Sequence, residues 1–342
     1  MRTALFFVLI LIWASFPALA DGPAGFRKLT VANTTVRVWY PAAQSVVNGS
    51  AGPITMVAEN KVFVGVPVIE DAPLEEKPHP LAILSHGYSG LWRNQAWLAE
   101  RMAREGFIVA SFNHAGTSFN DMKDDWAKNL TERPHQVSTV LTALLKGDVL
   151  GSQIDRQQIS VVGHSLGGST ALMLAGGEFD PARLLDACGE DETKLVCTTY
   201  RKGGLDRLMA PASAVDDRIA SVVLLELEGI RGFTPESLRA LDRPVLALVA
   251  GMEDPALPID WEGRQQAALL PASISRYAEV IGATHFSFMS QCKPGAEELL
   301  ADEAFVCSGE TLSREQLHET VAGMVISFLR SGRTLVSALQ TP

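Results

Sequence analysis

Two short, continuous apolar runs, Leu81-Ala82-Ile83-Leu84 and Phe107-Ile108-Val109-Ala110, constrain this chain more than any other feature. Runs without polar alternation mark strands covered on both faces, and such strands belong to parallel sheets sandwiched between helices. Residues 94–105 between them read as a helix, which completes one β-α-β unit. The unit recurs, with a helix over 136–145, a strand over 158–162 and a helix over 169–175. Strands over 219–225, 244–249 and 276–280 follow, and a closing helix over 314–330 can be capped by Ser313. This alternation predicts an α/β chain with a mostly parallel, doubly wound sheet and helices on both faces. The opening reads differently: Leu29 and Val31, then Val36, Val38 and Tyr40, alternate with other residues, and the change of parity at Asn33-Thr34-Thr35 allows a turn or bulge. With a strand over 54–68, these antiparallel strands should form one edge of the sheet.

At 342 residues, 47% hydrophobic and 20% charged, the chain can bury a substantial core. No linker or fixed-period repeat divides it, so 21–342 reads as one catalytic domain with an insertion at about 177–217, where the alternation lapses and a partial lid is expected. The net charge of -10 and the scattered Lys and Arg argue against nucleic acid as a partner. Met1-Arg2, an apolar stretch from Leu5 to Trp13 and Ala18-Leu19-Ala20 have the form of a signal peptide over 1–20. Ser15 and Pro17 interrupt the apolar stretch, so stable membrane insertion is not expected, and a soluble periplasmic or secreted protein should begin at Asp21. The four cysteines form two local couples, Cys188 with Cys197 and Cys292 with Cys307, which in an oxidising compartment could each close a short loop. A four-cysteine metal site is the rival, but neither a C-x-x-C pair nor a ligand-spaced His accompanies them.

The strongest motif is Gly163-His164-Ser165-Leu166-Gly167, followed by Gly168. G-x-S-x-G is common by chance, but here it joins the buried strand ending Ile159-Ser160-Val161-Val162 to a helix beginning Ser169-Thr170-Ala171-Leu172. In such a tight turn the glycines are required because a Cβ would strike the neighbouring strand or helix, and Ser165 is lifted into the open. A serine hydroxyl needs a base. Of seven histidines, His285 lies just after the last expected strand, where the order serine, acid, histidine puts it. His86 and His164 lie inside motifs, whereas His79, His114, His135 and His318 read as surface or packing residues. The acid that orients the imidazole is expected to be Asp254, after the buried strand Val245-Leu246-Ala247-Leu248-Val249. Glu253 is a neighbouring rival, and Glu226 and Glu228, after the preceding strand, are rivals of another kind. Two backbone N–H groups should hold the oxyanion: Leu166, after the nucleophile, and Tyr88, in Ser85-His86-Gly87-Tyr88-Ser89-Gly90.

These residues resemble those of bacterial α/β-hydrolases described as predicted dienelactone hydrolases, which are similar to platelet-activating-factor acetylhydrolases and polyester-hydrolysing enzymes. The resemblance runs from about 30 to 330 and includes Ser85-His86-Gly87, Arg133-Pro134, Ile154-Asp155-Arg156, the Ser165 motif and His285-Phe286-Ser287-Phe288. It implies the α/β-hydrolase fold, nucleophile Ser165, acid Asp254, base His285 and oxyanion donors Tyr88 and Leu166. True dienelactone hydrolases carry cysteine where this chain has Ser165, and acetylhydrolase relatives can take their acid from the earlier strand. The expected reaction is cleavage of a small carboxylic ester through an acyl-enzyme, with no metal or organic cofactor. A lactone, thioester or amide substrate is the near alternative, and an exported binding protein of the same fold the distant one.

Overall fold

A computed structural model describes residues 22–43, 52–147, 150–189 and 193–331. The expected signal segment, 1–20, lies outside the described residues. Strands β1 (Ala24–Val31) and β2 (Thr34–Tyr40) form a hairpin whose turn residues Ala32 and Asn33 have φ of 46° and 64°. Two positive φ values suit the twist of a two-residue hairpin, so the change of parity is this turn. The strand expected over 54–68 is instead two antiparallel strands, β3 (Ile54–Val57) and β4 (Val66–Glu70). Ala58, at φ 66°, turns the chain out of β3, and Asn60 Oδ1 accepts the N–H groups of Val62 and Phe63 at 2.8 and 2.6 Å. That side-chain bond makes a loop of a stretch whose apolar content reads as strand.

The alternating part follows as β5 (His79–Ser85), α1 (Ala96–Arg104), β6 (Ile108–Ser111), a small ribbon of β7 (Thr117–Ser118) and β8 (Asp121–Met122), α2 (Glu132–Lys146), β9 (Ile154–His164) and α3 (Leu166–Ala175). The excursion at 177–217 holds two short helices, α4 (Pro181–Cys188) and α5 (Leu195–Lys202), joined by the Cys188–Cys197 disulfide with a Cα–Cα distance of 5.8 Å. Then come β10 (Ser221–Leu225), α6 (Pro235–Arg239), β11 (Val245–Ala250), α7 (Gly263–Leu269), β12 (Ser275–Val280), α8 (Ala296–Leu300) and α9 (Arg314–Ser331). Ser313 caps α9 as expected, and reciprocally: its Oγ accepts Gln316 N–H at 3.3 Å while Gln316 Oε1 accepts Ser313 N–H at 3.1 Å.

Among the described residues, ten strands form one sheet in the order β12-β11-β10-β9-β5-β6-β2-β1-β4-β3. The six from β12 to β6 run parallel, and the opening strands supply the antiparallel edge, where only β1 and β4 pair in parallel. The run at 81–84 shows why both sheet faces must be covered: Leu81 and Ile83 enter the core shared with Leu141 of α2 and Leu172 of α3, while Ala82 and Leu84 enter the one shared with Leu98 of α1 and Val325 of α9. Full burial of each leucine, isoleucine or valine side chain here contributes about 1.5 to 3 kcal/mol. Among the described residues no helix is long and apolar enough to cross a membrane.

Candidate active site

The turn between β9 and α3 is tight enough to decide its own sequence. A Cβ on Gly163 would lie 1.9 Å from the Gly167 carbonyl oxygen, and one on Gly167 would lie 1.9 Å from the Ser85 carbonyl oxygen. Neither contact can be relieved by a side chain, because both are with backbone. Ser165 takes φ 56° and ψ -122°, a conformation that costs a non-glycine residue about 1 to 3 kcal/mol and that its surroundings must enforce. Its N–H donates to Leu225 O at 3.0 Å, tying the turn to the end of β10. Leu166 is the first residue of α3, so its N–H has no acceptor within the helix and shares the helix's positive end.

Across the turn lies the loop after β5. Gly90 N–H donates to Gly87 O at 3.1 Å, and Ser89 N–H donates to Thr117 O at 3.0 Å, so the intervening Tyr88 is held from both sides. A Cβ built on Gly87 would lie 3.0 Å from Ser165 Cβ and 3.4 Å from its Oγ, which puts this backbone directly against the serine. Buried imidazoles brace the loop. His114 N–H donates to His86 Nε2 at 2.9 Å, which leaves His86 Nδ1 to donate to Gly87 O at 2.8 Å. His114 Nδ1 donates to Gln136 Oε1 at 3.0 Å, so its Nε2 accepts the Ser85 hydroxyl at 2.9 Å. Burial first, and the charge of Arg133 second, push His86 down to about 3 and His114 well below the ordinary histidine range; both stay neutral. His114, read from sequence as a surface or packing residue, is thus a buried support of the loop.

His285 opens a 3-10 turn, His285–Phe288, just beyond β12. Its carbonyl accepts a hydrogen bond from His164 Nε2 at 3.0 Å, and the two rings lie 4.9 Å apart, so the base candidate is anchored to the residue preceding Ser165. The turn has its own lock: Ser287 Oγ accepts Thr284 N–H at 2.8 Å and donates to Glu310 Oε1 at 2.9 Å, which also accepts Arg314 Nε–H at 2.6 Å. The Cys292–Cys307 disulfide, with a Cα–Cα distance of 5.9 Å, closes the loop beyond this turn.

The carboxylate facing the imidazole is Glu228, not Asp254. Glu228 Oε1 lies 3.3 Å from His285 Nδ1, with both side chains buried, although the two atoms lack the alignment of a hydrogen bond. Asp254 stands on an exposed turn and spends Oδ1 on Ala256 N–H at 2.8 Å. The difference has a local cause. Glu226, at φ 49°, turns the chain at the end of β10, and buried Glu262 accepts Gly229 N–H at 3.1 Å and Ile230 N–H at 3.2 Å, holding the next turn in place. Glu253 is exposed beside Asp254, and Glu226 is committed to Ala250 N–H. Burial, with the charges of Glu262, Glu226 and Asp254, pushes Glu228 well above the usual carboxylate range; burial and then His164 push His285 well below its own. Attraction between carboxylate and imidazolium opposes both shifts and is felt when His285 gains a proton.

Beside Leu166 lies a cavity of about 250 Å³ walled by Trp126, Met173, Tyr200 and Thr170, with Arg133 at its edge. Tyr88 packs on Trp126 at 5.5 Å between ring centroids, and Trp126 on Tyr200 at 5.1 Å. Tyr200 comes from α5, so the excursion supplies one wall of this cavity. Trp92 and Trp261 lie elsewhere: Trp92 packs on Trp39 and Arg37, and Trp261 under Lys194 and Arg231. Sequence reasoning missed Glu262 and the wall formed by Tyr200, because neither has a motif.

A sequence profile of the alpha/beta hydrolase family matches residues 82–298. Cutinase 1 of Thermobifida cellulosilytica is 28% identical over 142 residues, 40% of this chain and 51% of that protein. A cutinase of Thermobifida fusca strain YX is likewise 28% identical over 142 residues, 40% of this chain and 44% of its own length. The chain thus spans about half the length of these relatives or less. A ferulic acid esterase structure from Streptomyces cinnamoneus superposes with a TM-score of 0.63 at 19% identity, covering 96% of this chain and 95% of that one, and shares its fold.

Proposed function

From the premise that this chain belongs to the alpha/beta hydrolase family, we propose that it hydrolyses carboxylic esters through Ser165, His285 and Glu228. The observation that carries the reading is the positive-φ Ser165 at the strand-to-helix turn, beside a histidine whose backbone is bonded to His164. With Nδ1 turned to Glu228, the Nε2 of His285 is the nitrogen left to take the Ser165 proton as Oγ attacks the ester carbonyl. Tyr88 and Leu166 N–H groups receive the oxyanion, the alcohol leaves with the proton from His285, and water then releases the acid from the acyl-enzyme. Glu228 takes the role expected of Asp254 because it is the carboxylate facing the ring. The names of the relatives, cutinase and ferulic acid esterase, favour an ester over a lactone, thioester or amide. The resemblance to dienelactone hydrolases and acetylhydrolases adds a small-molecule substrate. Two disulfides fit an exported protein, as the signal-like segment suggests.

The test is labelling with a fluorophosphonate probe, together with hydrolysis of p-nitrophenyl esters of increasing acyl length. Ser165 should be modified and turnover should vanish in Ser165→Ala. A folded protein whose Ser165 stays unlabelled, or whose Ser165→Ala variant still turns over, overturns the reading.

A further inference from the structure

Among the described residues no carboxylate answers the charge of Arg133. The residue is 5% exposed, and among the described residues no Asp or Glu lies within ion-pairing distance of it. It also sits in the first turn of α2, where the helix dipole disfavours a cation. Taking an unpaired guanidinium out of water is expensive unless its N–H groups are satisfied. A residue that breaks two local rules at once points to a tertiary role.

Its donors go to four oxygens: two at the end of β5 and in the loop that follows it, one in the β7 ribbon that holds this loop, and one on α3. One terminal nitrogen donates to His86 O and, at 3.3 Å, to Ser85 Oγ, both in the strand end and loop that lead to Tyr88. The other donates to Thr117 Oγ1 at 2.6 Å, and the carbonyl of that same Thr117 accepts Ser89 N–H, on the far side of Tyr88. Nε–H donates to Thr170 Oγ1 at 3.0 Å, and the Thr170 hydroxyl in turn donates to Leu166 O at 3.1 Å. Loop and helix come from distant parts of the chain and are joined here through one planar group.

Resting on the reading of Tyr88 and Leu166 as oxyanion donors, we infer that Arg133 is a positioning residue for the hole: its fork sets the spacing of the two N–H groups and its charge biases the site toward the tetrahedral oxyanion. Burial lowers the guanidinium only to about 9, so it remains charged at neutral pH. The planar fork is essential, because a lysine ammonium keeps the charge but cannot span the same four acceptors. The effect should appear in the transition state rather than in substrate binding, since the donors must fit the oxyanion and not the ground-state carbonyl.

The test uses the whole chain and p-nitrophenyl acetate. Arg133→Ala should lower kcat by about 10²-fold while KM changes by less than about 3-fold, and Arg133→Lys should fall between it and the parent. The affinity for a trifluoromethyl ketone, which forms a tetrahedral adduct, should drop in step with kcat/KM. Millimolar guanidinium chloride should restore Arg133→Ala at least about 10-fold by entering through the adjoining cavity, where sodium chloride does not. Should Arg133→Ala fail to fold, Thr170→Val cuts one tether and should lower kcat by about 5-fold at unchanged KM. A folded Arg133→Ala or Thr170→Val enzyme with parental kcat, or losses confined to KM, overturns the inference while leaving the Ser165 mechanism intact. Turnover that survives Ser165→Ala would instead remove the reading on which it rests.

Discussion

The proposed nucleophile side and the proposed base side of the site are built by different means. On the nucleophile side, β9, the turn at Ser165 and α3 succeed one another directly in the chain, and the geometry is enforced over five residues by two glycines that touch backbone. On the base side, His285 and Glu228 lie on loops after β12 and β10, held by bonds from elsewhere: His164 to His285 O, Glu262 to Gly229 and Ile230, and Glu310 and Arg314 behind Ser287. A site half that is fixed by backbone contact can be disturbed only by disturbing the fold. One fixed by side-chain tethers can be loosened while the sheet stays intact, so the two halves should separate stability from activity.

The sharpest way to break this contrast is Gly167→Ala, whose new methyl would meet the Ser85 carbonyl. Loss of soluble protein, or destabilisation by more than about 4 kcal/mol in denaturant titration, is expected. A stable, inactive Gly167→Ala protein would show that the turn is more yielding than its contacts imply. Next in size, Glu228→Gln should lower kcat by about 10³-fold with little change in melting temperature, and Asp254→Asn by less than about 3-fold. The reverse ranking would return the acid to the loop after β11.

The two disulfides sharpen the comparison further. Each closes a short loop, of separations 9 and 15, and should contribute about 2.5 to 3 kcal/mol, so their removal should cost similar stability. Activity should divide them. Cys292→Ser with Cys307→Ser frees the loop behind His285 and should lower kcat by about 5-fold, whereas Cys188→Ser with Cys197→Ser should act mainly on KM through Tyr200.

The smallest effect concerns pH. Burial holds Glu226 at about 8 and Glu262 at about 7, above the ordinary carboxylate value of 4.5. A carboxyl raised on folding is tolerated while protonated, so its contribution is present below 4.5 and is lost as pH rises through about 7 to 8. Glu226→Gln should therefore stabilise the protein by on the order of 1 to 3 kcal/mol at pH 9 and hardly at all at pH 5, as read by thermal melts. Equal effects at both pH values would mean that the parent side chain is ionised throughout.

Much of the molecule could be read from the chain alone, and the parts that could not share a cause. Continuous apolar runs required a parallel sheet covered on both sides, since side chains alternate faces along a strand and both faces of 81–84 are oily. G-x-S-x-G between strand and helix required the turn at Ser165, because the forces that shape it act between residues a few positions apart. The carboxylate that faces His285 was not legible in this way. Asp254 and Glu228 both come after buried strands at similar distances, and sequence order does not say which carboxylate meets the ring. That was decided by the turn of the backbone at Glu226 and by Glu262, a residue distant in sequence that grips the chain just past Glu228. The same holds for Arg133, whose four acceptors come together only when loop, ribbon and helix are packed. Sequence by itself determined the features that arise from local sterics and from the period of apolar side chains, while the partners of buried charges, which bond across the fold, were settled by tertiary structure.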